Sequence, residues 1–246
     1  MRRTALVTLT LTAAATGHTG CLADEDRTDA TSKGPFAGLS GGQILDQAAR
    51  ATADAPSLQV SGQAPDIRTG DTIHFDMALS GKDECSGTLR YTEGKADVIQ
   101  TDGTVYVRYD KKLLHAQNEG ASTEEMDAVV DQLAGKWLKT FAEMPTIDEL
   151  TRFCDLEKTL GDRHVRSSAT RGKTTTIKGT PAIALRGKNG DEQITAYVAT
   201  VGTPYILQVN SYSGHGQSTY VFSDFGKASA APRPEDDIID TTTLFE

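Results

Sequence analysis

The sequence predicts an α+β domain in which helices are grouped against an antiparallel sheet. Three observations predict it. Ile73, Phe75, Met77 and Leu79 alternate with His74, Asp76, Ala78 and Ser80, the period-two pattern of a strand with one buried face. Asp102-Gly103 and Asn189-Gly190 sit between apolar runs as hairpin turns, and hairpins make antiparallel neighbours. Between the two strand-rich regions, Met126, Val129, Val130 and Leu133 recur at i, i+3, i+4 and i+7, the stripe of an amphipathic helix.

The chain opens on Arg2 and Arg3, an uncharged and mostly apolar run over residues 5–15, and then Thr19-Gly20-Cys21. Residues 1–20 therefore read as a secretory signal peptide. The apolar run is too short for a membrane span, which takes roughly 20 residues. A cysteine at the exit reads as the lipid attachment site of an exported lipoprotein, its thiol carrying a diacylglycerol. His18 departs from that pattern, since leucine usually stands there. The competing reading is a simple signal peptide, cut near Ala13-Ala14-Ala15, and a secreted product with Cys21 incidental. Residues 21–39, rich in Asp, Thr, Ser, Gly and Pro, read as an acidic flexible tether. Such a coil of about 17 residues reaches roughly 20–25 Å.

The folded domain is expected over residues 40–227. Ser40 caps a first helix with Gln43 as its capping-box partner, and Ile44, Leu45, Ala48, Ala49 and Thr52 form its apolar stripe up to Pro56. Strands follow at 58–60, 73–79, 86–91, 96–101 and 105–109. Ser122 and Glu125 start a second helix that Gly135 ends. Thr146 and Glu149 start a third, running to Gly161 with Ile147, Leu150 and Phe153/Cys154 on one face. From Val165 the chain reads as strand and turn, marked by Ile177, Ile183, Leu185, then Ile194, Ala196, Val198, then Tyr205, Leu207, Val209, and finally 219–222. Residues 228–246 read as a loose acidic tail.

The net charge is −9, which argues against a nucleic-acid partner and against a peripheral grip on anionic lipid. Attachment to a membrane would have to be covalent. There are three cysteines, an awkward number for an oxidising compartment. If Cys21 is acylated, Cys85 and Cys154 remain and can pair; the alternative is two buried free thiols. A bridge closing about 70 residues stabilises by roughly 4 kcal/mol in the chain-entropy model.

No catalytic constellation emerges. Gly38-Leu39-Ser40-Gly41-Gly42 matches G-x-S-x-G, but a nucleophile elbow needs a buried strand before it, and here a polar tether with Pro35 precedes. His18, His74, His115, His164 and His215 are isolated, without metal-ligand spacing. No cofactor and no metal are expected.

Several short stretches carry a resemblance: 58–62 (LQVSG), 75–79 (FDMAL), 85–89 (CSGTL), 103–107 (GTVYV), 135–139 (GKWLK), 153–156 (FCDL), 179–181 (GTP), 203–205 (TPY) and 220–225 (YVFSDF). In their order and spacing the chain resembles the actinobacterial LppX/LprG-type lipoproteins, which share the half-barrel fold of LolA-type carriers. The resemblance implies a strongly curved antiparallel sheet with helices packed on its concave side and a hydrophobic cavity between them. Candidate cavity residues are Ile73, Phe75, Met77, Leu79, Val105, Val107, Met126, Val129, Val130 and Leu133. The expected function is that of a membrane-anchored exported lipoprotein binding a lipid or other amphiphile, for transport or sensing at the cell envelope, with an envelope transporter or sensor as a further partner. The alternative is a non-catalytic protein–protein interaction module with a filled core.

Overall fold

The computed structural model describes residues 35–66, 69–81, 83–117, 123–141, 145–160 and 166–241. The expected signal peptide, Cys21, the expected tether up to residue 34, the expected Ser122 cap, Gly161 and His164 lie outside these, as do the side chains of Glu125 and Thr146.

One antiparallel meander runs from β1 (Ser57–Pro65) through β2 (Thr72–Ser80), β3 (Glu84–Tyr91) and β4 (Gly94–Thr101) to β5 (Thr104–Tyr109). A second runs through β7 (Thr170–Ile177), β8 (Thr180–Asn189), β9 (Glu192–Ala199), β10 (Ile206–Ser213) and β11 (Gly216–Ser223). Between them, β6 (Trp137–Phe141) returns to pair with β5. The halves join where β11 pairs with β1, from Gln59 opposite Ser223 to Gln63 opposite Thr219. The result is one open, curved sheet in the order β12-β6-β5-β4-β3-β2-β1-β11-β10-β9-β8-β7, with β12 spanning Ile238–Asp240.

The turns follow from local chemistry. Asp102 and Gly103 both hold positive φ, 50° and 72°, as a two-residue turn matching the twist of paired strands requires. Lys178 and Gly179 do the same between β7 and β8. The β8–β9 turn sits one residue beyond the expected place: Asn189 still pairs with Glu192, so Gly190 and Asp191 make the loop. Gly62, inside β1, is required by close approach. A Cβ there would lie 1.8 Å from the Thr219 carbonyl oxygen.

Among the described residues there are five helices. They are α1 (Gly41–Ala53), α2 (Lys111–Gln117), α3 (Thr123–Leu133), α4 (Pro145–Thr151) and α5 (Leu156–Leu160). The Ser40–Gln43 capping box of α1 is present in both directions. Ser40 is therefore a helix cap. α1 packs over β7 to β10, α4 over β4, and α3 on α2. Thr52 on α1 is fully buried, and its hydroxyl accepts the Ile206 N–H at 2.9 Å.

That bond compensates for a departure from the expected pattern. The register between β9 and β10 shifts at Ile206/Gln208. The extra residue changes which side chains face inward, so Ile206 enters the core in place of the expected Tyr205 and Leu207. A bulge leaves backbone groups outside the ladder, and Thr52 satisfies one of them.

Two further expectations are corrected. The third helix is two short ones, α4 and α5, broken by a turn over 152–154. The Asp155 carboxylate caps the second by accepting the Lys158 N–H at 2.9 Å, which favours a fresh start over continuation. The tail is not loose throughout. The Ala231 N–H donates to Ser86 Oγ at 2.7 Å, and Ile238–Asp240 pairs in parallel with Trp137, Leu138 and Lys139. The exposed edge of β6 offers the unpaired backbone groups that make this favourable.

Candidate ligand-binding site

The concave face is built from alternate residues of neighbouring strands. In β1 and β2, Leu58 pairs with Leu79, Val60 with Met77, Gly62 with Phe75 and Ala64 with Ile73. Because the side-chain period is two, this register puts all of these on one face, and every non-glycine among them is buried. Val105 and Val107 join them from β5.

The helical candidates divide. Val130 on α3 is fully buried, Met126 and Leu133 are half-buried, and Val129 is 43% exposed. Val129 therefore faces solvent. α3 rests on α2, and a helix packed mainly on one neighbour buries a narrower stripe than one laid across a sheet.

The middle of the concave face is occupied by a side chain from the α4–α5 turn. Phe153 is 1% exposed and stacks on Phe75, with ring centroids 4.1 Å apart and planes 18° from parallel. Tyr220 of β11 completes the cluster, 5.2 Å from Phe75 and 6.5 Å from Phe153. Burial pushes the Tyr220 phenol pKa up, against the opposing pull of Arg152. The next residue, Cys154, is bonded to Cys85 on β3. The bridge therefore joins the sheet to a turn, where the sequence suggested a helix.

This turn separates two regions. On the Cys154 side lies an open cleft of about 660 Å³. Ala53, Ala55, Leu58, Leu79 and Leu156 contribute its apolar wall. Asp54, Asp83, Asp148, Asp155 and Glu157 supply acids, and Lys158 bonds Asp148 at 3.2 Å. Of the ten candidate cavity residues, Leu79 lines this cleft; the buried strand candidates otherwise form core. On the other side, Arg152 reaches the end of β1. Its Nη2 donates to the Pro65 carbonyl at 3.1 Å, and its guanidinium lies over the Phe153 ring at 4.6 Å.

Arg152, Phe153 and Tyr220 escaped the sequence reading as a group. They are distant in sequence and meet only through tertiary structure. Their one local signal is that Arg152 and Phe153 adjoin the cysteine. Among the described residues the histidines do not converge: His74 faces outward, His215 sits in a turn, and His115 lies 3.7 Å from Asp127. Among the described residues no group of His, Cys, Asp or Glu could hold a metal ion, and no helix is long and apolar enough to cross a membrane.

No protein-family model matches this sequence, and no curated protein sequence matches it. The fold does match solved structures. LprF from Mycobacterium bovis superposes over 80% of this chain and 97% of its own, with a TM-score of 0.53 and 14% identity. The lipoprotein LppX from Mycobacterium tuberculosis does so over the same shares, with a TM-score of 0.51 and 13% identity. The chain has the LppX/LprG-type lipoprotein fold. Within that fold, the Cys85–Cys154 bridge and the Phe153 stack are features of this chain's own residues.

Proposed function

We propose that this chain is an exported lipoprotein that holds a lipid or other amphiphile between its curved sheet and the helices, and works at the extracytoplasmic face of a membrane to which Cys21 is anchored. The observation that carries the reading is the cleft beside the α4–α5 turn, about 660 Å³ and walled by Leu58, Leu79 and Leu156 at the edge of the apolar face. An acyl chain placed there gains about 0.8 kcal/mol for each CH₂ removed from water. The likeness in fold to LprF and LppX supports the same reading. No step of it requires catalysis; the binding is apolar burial. Carriage of the ligand to an envelope transporter, or its detection by a sensor, is the role such binding would serve.

Native mass spectrometry of the full chain, extracted from membranes in mild detergent, tests this. A stoichiometric lipid adduct is expected. A protein that carries no adduct and acquires none from lipid vesicles overturns the proposal.

A second reading has its own observation. Phe153 fills the middle of the concave face, and acids rim the cleft, as befits a module that docks another envelope protein. A protein partner retained at fixed stoichiometry, with no lipid adduct, would favour it.

A further inference from the structure

Arg152 is the most unusual charge in the described structure. It lies over Phe153 and near Tyr220, and its Nε is buried without a hydrogen-bond partner. Among the described residues its guanidinium donates to the Pro65 carbonyl, at 3.1 Å. Among the described residues no carboxylate lies within ion-pair distance of it. Arg166, also buried at Nε, differs, since Asp46 Oδ1 lies 3.9 Å away. A buried cation without an anion is costly, by several kcal/mol, and native proteins ordinarily pair it.

The chemistry of the vacancy is specific. A guanidinium carries five N–H donors in a planar fork that fits a carboxylate or phosphate through two parallel bonds. Nε of Arg152 is one prong of such a fork and has no hydrogen-bond partner, while Nη2 donates to the Pro65 carbonyl. Nε itself is buried, while the residue as a whole is only half-buried. The Tyr220 phenol stands in the same cluster, and burial keeps it protonated as a donor. An anion held there would have the Phe153 ring beside it, and a tail reaching the cleft wall across the turn would have to displace that ring from the middle of the concave face. With a net charge of −9, the surface repels small free anions, so an apolar tail must bring the charged group in.

We propose that Arg152 is the head-group anchor of the ligand, and that the ligand is an anionic amphiphile bearing a carboxylate or a phosphate. This rests on the amphiphile reading above and narrows it.

The test is calorimetric titration of the full, disulfide-bonded chain with five probes below their micelle concentrations. They are dodecanoate, dodecyl phosphate, dodecanol, dodecyltrimethylammonium and inorganic phosphate. Dodecanoate and dodecyl phosphate should bind at least ten-fold more tightly than dodecanol or the cationic probe. Arg152→Gln should erase that preference while leaving dodecanol affinity within two-fold. Arg152→Lys should keep part of the preference, because the charge remains and the fork is lost. Equal binding of all four dodecyl probes, or an anion preference that survives Arg152→Gln, overturns the inference and leaves the amphiphile reading standing. Inorganic phosphate binding as tightly as dodecyl phosphate would make this a free-oxyanion site and overturn the inference in a different way. Failure of every dodecyl probe to bind the unaltered chain would sink the amphiphile reading and this inference together. Should Arg152→Gln not fold, the comparison of dodecanoate with dodecyltrimethylammonium on the unaltered chain decides alone.

Discussion

Phe153 lies 4.1 Å from Phe75, ring over ring, so that a residue from a helix-breaking turn closes the centre of the sheet's concave face. The contact anchors the α4–α5 turn to β2, between the cleft on the Cys154 side and Arg152 on the other. Removing the ring should expose that role. Phe153→Ala is expected to cost about 3–5 kcal/mol in urea unfolding, as for other buried phenylalanines. Added dodecanol should restore part of the loss by filling the cavity. A cost below about 1 kcal/mol would mean that Phe153 is not core.

The turn is held from its other end by Cys154. The bridge to Cys85 spans 69 positions, and the chain-entropy model assigns it about 4 kcal/mol. Replacing both cysteines with serine should lower the urea midpoint accordingly. It should also speed amide exchange over 152–155 more than in β2 or β3. Uniform acceleration would show that the bridge acts on the whole fold and not on the turn.

Gly62 sets how closely β1 and β11 approach. A methyl group there meets backbone, the Thr219 carbonyl oxygen, which cannot rotate away. Gly62→Ala should therefore destabilise by at least about 2 kcal/mol, in the range of overpacked cores. Gly214→Ala, where nothing lies within 4 Å, should fall within about 0.5 kcal/mol of the parent. Thermal unfolding of the two variants side by side checks the contrast.

Asp97 on β4 ties three strands together. It accepts from Thr88 Oγ1 at 2.8 Å, Arg108 Nη2 at 3.0 Å and Lys95 Nζ at 3.4 Å. Burial alone would push its pKa up, but these bonds and the two positive charges outweigh burial and hold it below the ordinary carboxylate value. A depressed folded pKa means that the unfolded chain takes up the proton first. The stabilisation is thus complete above the unfolded value, about 4, and is lost as pH falls through the folded one. The stability gap between the parent and Asp97→Asn should be constant from pH 5 to 7 and close as pH falls below about 4. A gap unchanged down to pH 2 would refute the assignment.

Cys21 makes a separate prediction, read from the sequence. Cys21→Ala should move the protein from the membrane fraction to the medium. Retention on the membrane would refute lipid attachment.

Local rules carried the sequence reading a long way. The strand alternation of Ile73 to Leu79, the Ser40–Gln43 capping box and the Asp102-Gly103 turn each depend on residues within one element, and each is present as read. Reading failed where partners distant in sequence decide the outcome. The bulge at Ile206 is stabilised by Thr52, and the β12 pairing by the free edge of β6.

The sequence by itself determined that this is an α+β domain with an antiparallel sheet, one inward face, and two cysteines available to pair. Periodicity, turn chemistry and counting are properties of the chain alone. Only the tertiary structure decided that the third helix breaks at residues 152–154, that Phe153 enters the core there, and that Arg152 Nε is left beside it without a hydrogen-bond partner. A helical stripe does not record what it will meet. Burial, an unbonded donor and the space beside a ring come into being only when the sheet and the turn are brought together.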